Sequence, residues 1–203
     1  MSPGRSGAAR RVWEARAGAP PPTSEDHPTR PASPYGIAKL AVEHYLACWE
    51  ALYGIRTLAL RYANVYGPRQ NSAGEAGVVA IFAHRLVSES AAVINGDGEQ
   101  TRDYVYVDDV AEANLRALER HDLSGAVNIG TGVETSVNEL FRQIARATDV
   151  MAEPRHGPPK PGEQRRSALD SSLAKRLLGW TPRVSLDEGL RRTVDYVRRG
   201  GNT

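Results

Sequence analysis

From Ser33 onward, apolar and polar positions fall at helical spacing: Ile37, Ala41, Cys48 and Leu52 lie along one side, and Gly54 closes the run. Ser as N-cap, Pro34 in the first turn and Gly after the last turn together predict a helix over 34–53. A second row, Val42, Leu46, Trp49 and Tyr53, continues the face that begins with Tyr35 and Lys39, so the pattern predicts burial on two sides. Further on, "RTLALRY", "AAVI", "RDYVYV" and "GAVNIG" read as short buried strands. "GVVAIFAHRLVS", "DDVAEANLRALER", "SVNELFRQIARAT", "SSLAKRLLG" and "SLDEGLRRTVDYVRR" read as helices. Strands alternating with helices predict an α/β architecture with a parallel sheet. Residues 1–24, rich in Gly, Ala, Pro and Arg, carry no sustained period and are predicted to be irregular or disordered.

With 203 residues, 40% of them hydrophobic, the chain can bury one substantial core. Its 26 basic and 24 acidic residues leave a net charge of only +2, which gives no ground for a nucleic-acid partner. No apolar run approaches 18 residues and no leader pattern is evident, so a soluble cytoplasmic protein without a membrane partner is expected. The single cysteine, Cys48, falls in the apolar stripe of the first helix and is expected to be a buried small hydrophobe. The five histidines show no metal-ligand spacing, and no metal site is predicted. Asp108 and Asp109 precede a helix and are expected to act as cap and dipole partners there.

Tyr35 and Lys39 stand four apart, on one face near the start of the predicted helix. By composition alone such a spacing is expected roughly 0.12 times in this chain, so it is a modest signal, and a core tyrosine beside a solvent-reaching lysine explains it as well. The chemical reading is that a phenol, with an ordinary pKa near ~10, is a poor base at neutral pH until a fixed cation favours its phenolate.

Three stretches in order, "SPYGIAKLAVEHYL", "LALRYANVYGPRQ" and "INGDGEQTRDYVYVDDVAEA", resemble the extended short-chain dehydrogenase/reductase family. Within that family they are most similar to NAD-dependent nucleotide-sugar epimerases of the UDP-glucose 4-epimerase kind, from about Glu25 to Arg198. The resemblance implies Tyr35 as acid/base, Lys39 as its activator and ribose anchor, and Tyr62 and Ala63 beside the nicotinamide of NAD. It implies a UDP-sugar or related nucleotide-sugar held by Asn64, Val78, Val93, Ile94, Asn95, Arg102, Tyr104 and Lys160. Arg102 would clamp the diphosphate; read without the resemblance, it is a loop arginine paired with Asp103. It leaves a homodimer through the helix 34–53 open, and a 4,6-dehydratase or reductase as the nearest alternative chemistry.

In that family the NAD pyrophosphate sits on a glycine-rich strand-turn-helix, and no such motif occurs in this chain. "GDGEQT" and "GTGVET" lack its third glycine, and neither is read as the cofactor loop. The hydroxyl residue that orients the family's tyrosine also has no counterpart near Arg10 to Trp13. The implied fold is the C-terminal part of a Rossmann-like parallel sheet (25–63 and 103–131) plus a small α/β substrate-binding subdomain (64–102 and 132–200). Residues 1 to about 22 read as a foreign start, the chain is expected to be marginally stable, and a non-catalytic remnant that binds sugar nucleotide is the rival to an enzyme.

Overall fold

A computed structural model describes residues 9–10, 22–31, 33–72, 77–160 and 163–201. In chain order the elements are β1 (Ala9–Arg10), α1 (Pro34–Tyr53), β2 (Leu58–Tyr62), β3 (Asn64–Tyr66), α2 (Val78–Val87), β4 (Val93–Asn95), β5 (Thr101–Arg102) and β6 (Tyr104–Tyr106). They continue with α3 (Val107–Glu119), β7 (Gly125–Ile129), β8 (Thr135–Ser136), α4 (Val137–Thr148), β9 (Arg155–Gly157), α5 (Ser172–Leu178) and α6 (Leu186–Arg198).

The punctuation of α1 is local chemistry. Ser33 Oγ accepts the Gly36 amide at 3.0 Å, Pro34 occupies the first turn, and Gly54 takes φ 65° so that its amide reaches Glu50 O. Ser136 and Ser185 cap α4 and α6 in the same way, accepting from the amides of Glu139 and Glu188.

Strands β1, β2 and β7 form one parallel sheet with β2 in the centre, in register Leu60↔Val127 and Ala9↔Leu60. At Ala63 the chain leaves this sheet, and β3 pairs in parallel with β6 instead. β4 pairs in parallel with β9, and β5 pairs antiparallel with β8. Two apolar clusters match the two parts. One gathers Leu60, Val105, Val127, Ile129, Leu178 and Trp180 between the three-stranded sheet, α3 and α5. The other packs α2, α4 and α6 around β3, β4 and β6, with Phe82 and Phe141 edge to face at 5.5 Å. The buried residues of α4, Val137, Leu140, Phe141, Ile144 and Thr148, follow the helical period that made it legible.

Several expectations are corrected. The span 1–24 is not wholly irregular: Ala9–Arg10 is a strand, and Thr23 is buried, donating Oγ1 to Ala168 O at 2.9 Å. Helix α1 is not buried on two sides, because only Gly36 and Leu46 are buried while Ile37, Tyr45, Trp49, Leu52 and Tyr53 are exposed. Cys48 lies on that open flank and is exposed too. The reason is that α1 packs on β2 with one face, and no described element covers the other. "RDYVYV" is not one strand but β5 and β6, interrupted where Asp103 turns its carboxylate into the protein. Asp109 does not cap α3: its carboxylate accepts the amides of Arg183 and Val184, both at 3.1 Å, tying α3 to the chain ahead of α6.

Candidate active site

The N-terminal turn of α1 presents Tyr35 and Lys39 side by side, with Lys39 Nζ 5.0 Å from the centroid of the Tyr35 ring. Tyr35 is half exposed, and among the described residues no carboxylate pairs with Lys39. The orientation of α1 against β2 is fixed by a bidentate pair: Arg61 Nε and Nη2 donate to Glu43 Oε1 and Oε2 at 3.0 and 2.8 Å. Arg61 Nη1 reaches Glu25 O, and Glu25 Oε1 accepts the Asn128 amide of β7, so one network joins α1, β2, β7 and residues 22–31. At the C-terminal end of β2, Tyr62 donates its hydroxyl to Asn114 Oδ1 at 2.9 Å. Burial pushes the Tyr62 phenol up, which makes it unsuited to act as a base. Ala63 is buried and its amide donates to Ile129 O.

Across the switch at residue 63 lies a cleft of about 260 Å³. Its lining includes Asn64, Val78, Val93, Ile94, Asn95, Arg102, Tyr104 and Lys160, all eight positions assigned to nucleotide-sugar from the sequence. They come from β3, α2, β4, β5, β6 and the stretch after β9, separated by up to 96 residues in sequence. Tyr35, Lys39, Tyr62 and Ala63 do not line it; Asn64 joins the two groups, because it follows Ala63 directly. Gln100, Phe82, Ile81, Val137 and Glu163 also line the cleft and were missed. A signal for most of them exists: Gln100, Arg102 and Tyr104 alternate along extended chain, and Val78, Ile81 and Phe82 share one helix face.

Arg102 donates Nη1 to the carbonyls of Thr101 and Gln164, both at 2.7 Å, and its Nη2 stands 3.4 Å from Glu163 Oε1. It is not paired with Asp103, because successive side chains of an extended chain point to opposite faces. Two neutral carbonyls and one long carboxylate contact leave its charge available to an incoming anion. Lys160 is exposed at the same rim without an ion pair among the described residues.

Asp103 faces the other way. Its carboxylate accepts the amides of Thr131, Gly132 and Leu169 and the Thr131 hydroxyl, the last at 2.6 Å. Burial pushes this carboxyl up, and the four donors oppose the shift. The amides of Thr131 and Gly132 in the "GTGVET" loop are therefore already taken by a side chain of the protein, so they are not free to cradle a phosphate. Among the described residues no three His, Cys, Asp or Glu side chains converge as a metal site.

Residues 14–130 match the model of the NAD dependent epimerase/dehydratase family. The chain belongs to that family. The match begins inside the stretch that composition had set apart as foreign, so the resemblance reaches further toward the N-terminus than Glu25. UDP-glucose 4-epimerase of Mycolicibacterium smegmatis is 49% identical over 183 residues, covering 89% of this chain and 58% of that protein. The crystal structure of UDP-glucose 4-epimerase from Thermotoga maritima with UDP-glucose superposes with a TM-score of 0.92 at 47% identity, over 96% of this chain and 63% of that one. The complex of Thermus thermophilus UDP-glucose 4-epimerase with NAD gives a TM-score of 0.84 at 40% identity, over 95% and 63%. The chain thus spans about three fifths of the relatives it matches. These likenesses establish the α/β fold, with its parallel sheet of the Rossmann kind, for this family member.

Proposed function

We propose that the chain serves an NAD-dependent nucleotide-sugar epimerase reaction of the UDP-glucose 4-epimerase kind. One observation carries this reading: eight residues scattered along the sequence meet around a single cleft that holds two cations, Arg102 and Lys160, and includes Asn64, two residues past the end of β2. The C-terminal end of a parallel strand is where α/β sheets bind their ligands. Structures of relatives with UDP-glucose and with NAD support the same assignment.

The protein's own residues divide the work. Arg102 and Lys160 neutralise the diphosphate, a double anion that a guanidinium fork and an ammonium suit. Asn64 offers its amide to the sugar-nucleotide. Tyr35 Oη, as the phenolate, takes the proton of the sugar hydroxyl and returns it, and the Lys39 ammonium beside it favours the phenolate that must stand ready before the first step and forms again after the second. Tyr35 and Lys39, together with Tyr62 and Ala63 at the end of β2, fit the nicotinamide-ribose end of NAD: Lys39 is an unpaired cation among the described residues, beside a half-exposed phenol. NAD, when bound, supplies the acceptor and donor of the hydride. The exposed flank of α1, with Tyr45, Trp49, Leu52 and Tyr53, supports association of two copies through this helix. No described helix is long and apolar enough to cross a membrane, and a cytoplasmic location belongs to the same proposal.

Conversion of UDP-glucose to its 4-epimer with NAD added, followed chromatographically, tests the reading. Tyr35→Phe is expected to lower turnover by roughly 10²–10⁴-fold while UDP-glucose affinity is kept. A parent protein that binds UDP-glucose without turnover, or a variant as fast as the parent, would remove Tyr35 from the role.

A further inference from the structure

The extended chain from Gln100 to Tyr104 has two faces with different partners. It leaves a sharp turn at Gly96 and Gly98, with φ 69° and 73°, which Asn138 clamps by donating Nδ2 to Asp97 O at 2.8 Å and Glu99 Oε1 at 2.7 Å. Beyond the turn, Gln100, Arg102 and Tyr104 line the cleft. Thr101 and Asp103 alternate with them and bond behind it. Thr101 donates its hydroxyl to Glu134, and Asp103 is held by Thr131, Gly132 and Leu169.

Strands β5 and β6, of two and three residues, are too short to fix their own register. A slip of one residue would turn Arg102 and Tyr104 away from the cleft and bring Asp103 into it. The buried carboxylate opposes that slip. Its Oδ1 accepts the Thr131 amide at 2.9 Å and the Thr131 hydroxyl at 2.6 Å, and its Oδ2 accepts the Gly132 and Leu169 amides at 3.0 and 3.2 Å. The end of β7 is shaped to receive it, since a Cβ on Gly130 would stand 2.5 Å from Oδ2. Asp103 is 2% exposed, and a charge taken so far out of water is tolerated only where donors surround it.

We infer that Asp103 is a positioning residue: anchored behind the cleft to the loop after β7, it holds Arg102 turned toward the diphosphate without itself touching the ligand. This rests on the proposed function, because it takes the cleft as the diphosphate site. Asparagine in its place keeps the shape and breaks the anchor. Whichever oxygen the NH2 group replaces, an N–H is set against a backbone amide N–H.

Calorimetric titration with UDP-glucose of the full chain, of Asp103→Asn, of Arg102→Ala and of the double variant tests the inference. Asp103→Asn is expected to bind roughly five- to twentyfold more weakly than the parent, a large part of one charge-assisted hydrogen bond. In the Arg102→Ala background the same substitution is expected to change affinity less than about twofold, because the group through which it acts is gone. Unchanged affinity in Asp103→Asn overturns the inference. Equal weakening in both backgrounds overturns it too, since that marks a general loosening of the fold. Should circular dichroism show that Asp103→Asn does not fold, Thr131→Val, which removes only the hydroxyl donor, carries the comparison. It is expected to bind about two- to fourfold more weakly, an effect that vanishes beside Arg102→Ala, and unchanged affinity there overturns the inference. A parent that does not bind UDP-glucose at millimolar concentration overturns the cleft assignment together with it.

Discussion

Replacing Glu43 by glutamine probes the bond that sets α1 against the sheet. The side chains of Arg61 and Glu43 are only 7% and 13% exposed, and the two bonds between them are parallel and charge-assisted. The substituted amide keeps the shape but removes the charge, and it turns an N–H toward one of the guanidinium N–H groups. The guanidinium is then buried with a single uncharged acceptor on that side and the Glu25 carbonyl on the other. Removing one member of a buried ion pair costs about 3–5 kcal/mol. For a chain of this size each kcal/mol moves the melting temperature by about 2–4 °C, so Glu43→Gln is expected to melt roughly 6–20 °C lower. Differential scanning calorimetry reads this directly. The double variant Glu43→Leu with Arg61→Met removes both charges and is expected to lie within about 1–2 kcal/mol of the parent. A single variant that melts within a degree of the parent, or a double variant as weak as the single one, would show that the pair does not hold α1.

Two other perturbations follow from the same geometry. At Gly98 a Cβ would overlap the Asn138 side-chain carbonyl, and φ is 73°, so Gly98→Ala is expected to cost about 2–4 kcal/mol in urea unfolding; a loss under about 0.5 kcal/mol would mean that the turn is not clamped. Hydrogen bonds from the Arg165 guanidinium hold the Asp97 carboxyl down at about 2, below its ordinary 3.8. A depressed carboxyl stabilises the fold above its unfolded value, and that contribution fades as pH falls toward 2. In Arg165→Ala the Asp97 midpoint, followed by carbon-detected NMR, is expected to return toward its ordinary value, and an unmoved midpoint would contradict the assignment.

The helices were legible because their boundaries are written in side chains: Ser33, Ser136 and Ser185 accept amides, and Gly54 and Gly179 adopt the left-handed turn that ends a helix. The cleft was legible through a resemblance rather than through periodicity. Nothing in the local pattern of Asn64, Val78, Asn95 and Lys160 shows that they meet. The open flank of α1 was not legible, since an apolar stripe at Ile37, Cys48 and Leu52 reads the same whether or not this chain covers it. Asp109 escaped for a related reason: a carboxylate in a first helical turn looks like a dipole partner, and only the fold brings residues 183 and 184 to its oxygens. The short strands β3, β8 and β9 have two or three residues each, too few for alternation to register.

Most depends on the cleft between β3, α2 and β5 being a diphosphate-sugar site. Calorimetry with UDP-glucose, on the parent and on Arg102→Ala with its circular dichroism unchanged, tests it most directly. One-to-one binding by the parent, weakened at least about tenfold in the variant, is the predicted result. A titration without heat up to millimolar ligand, or equal affinity of the two proteins, would contradict it.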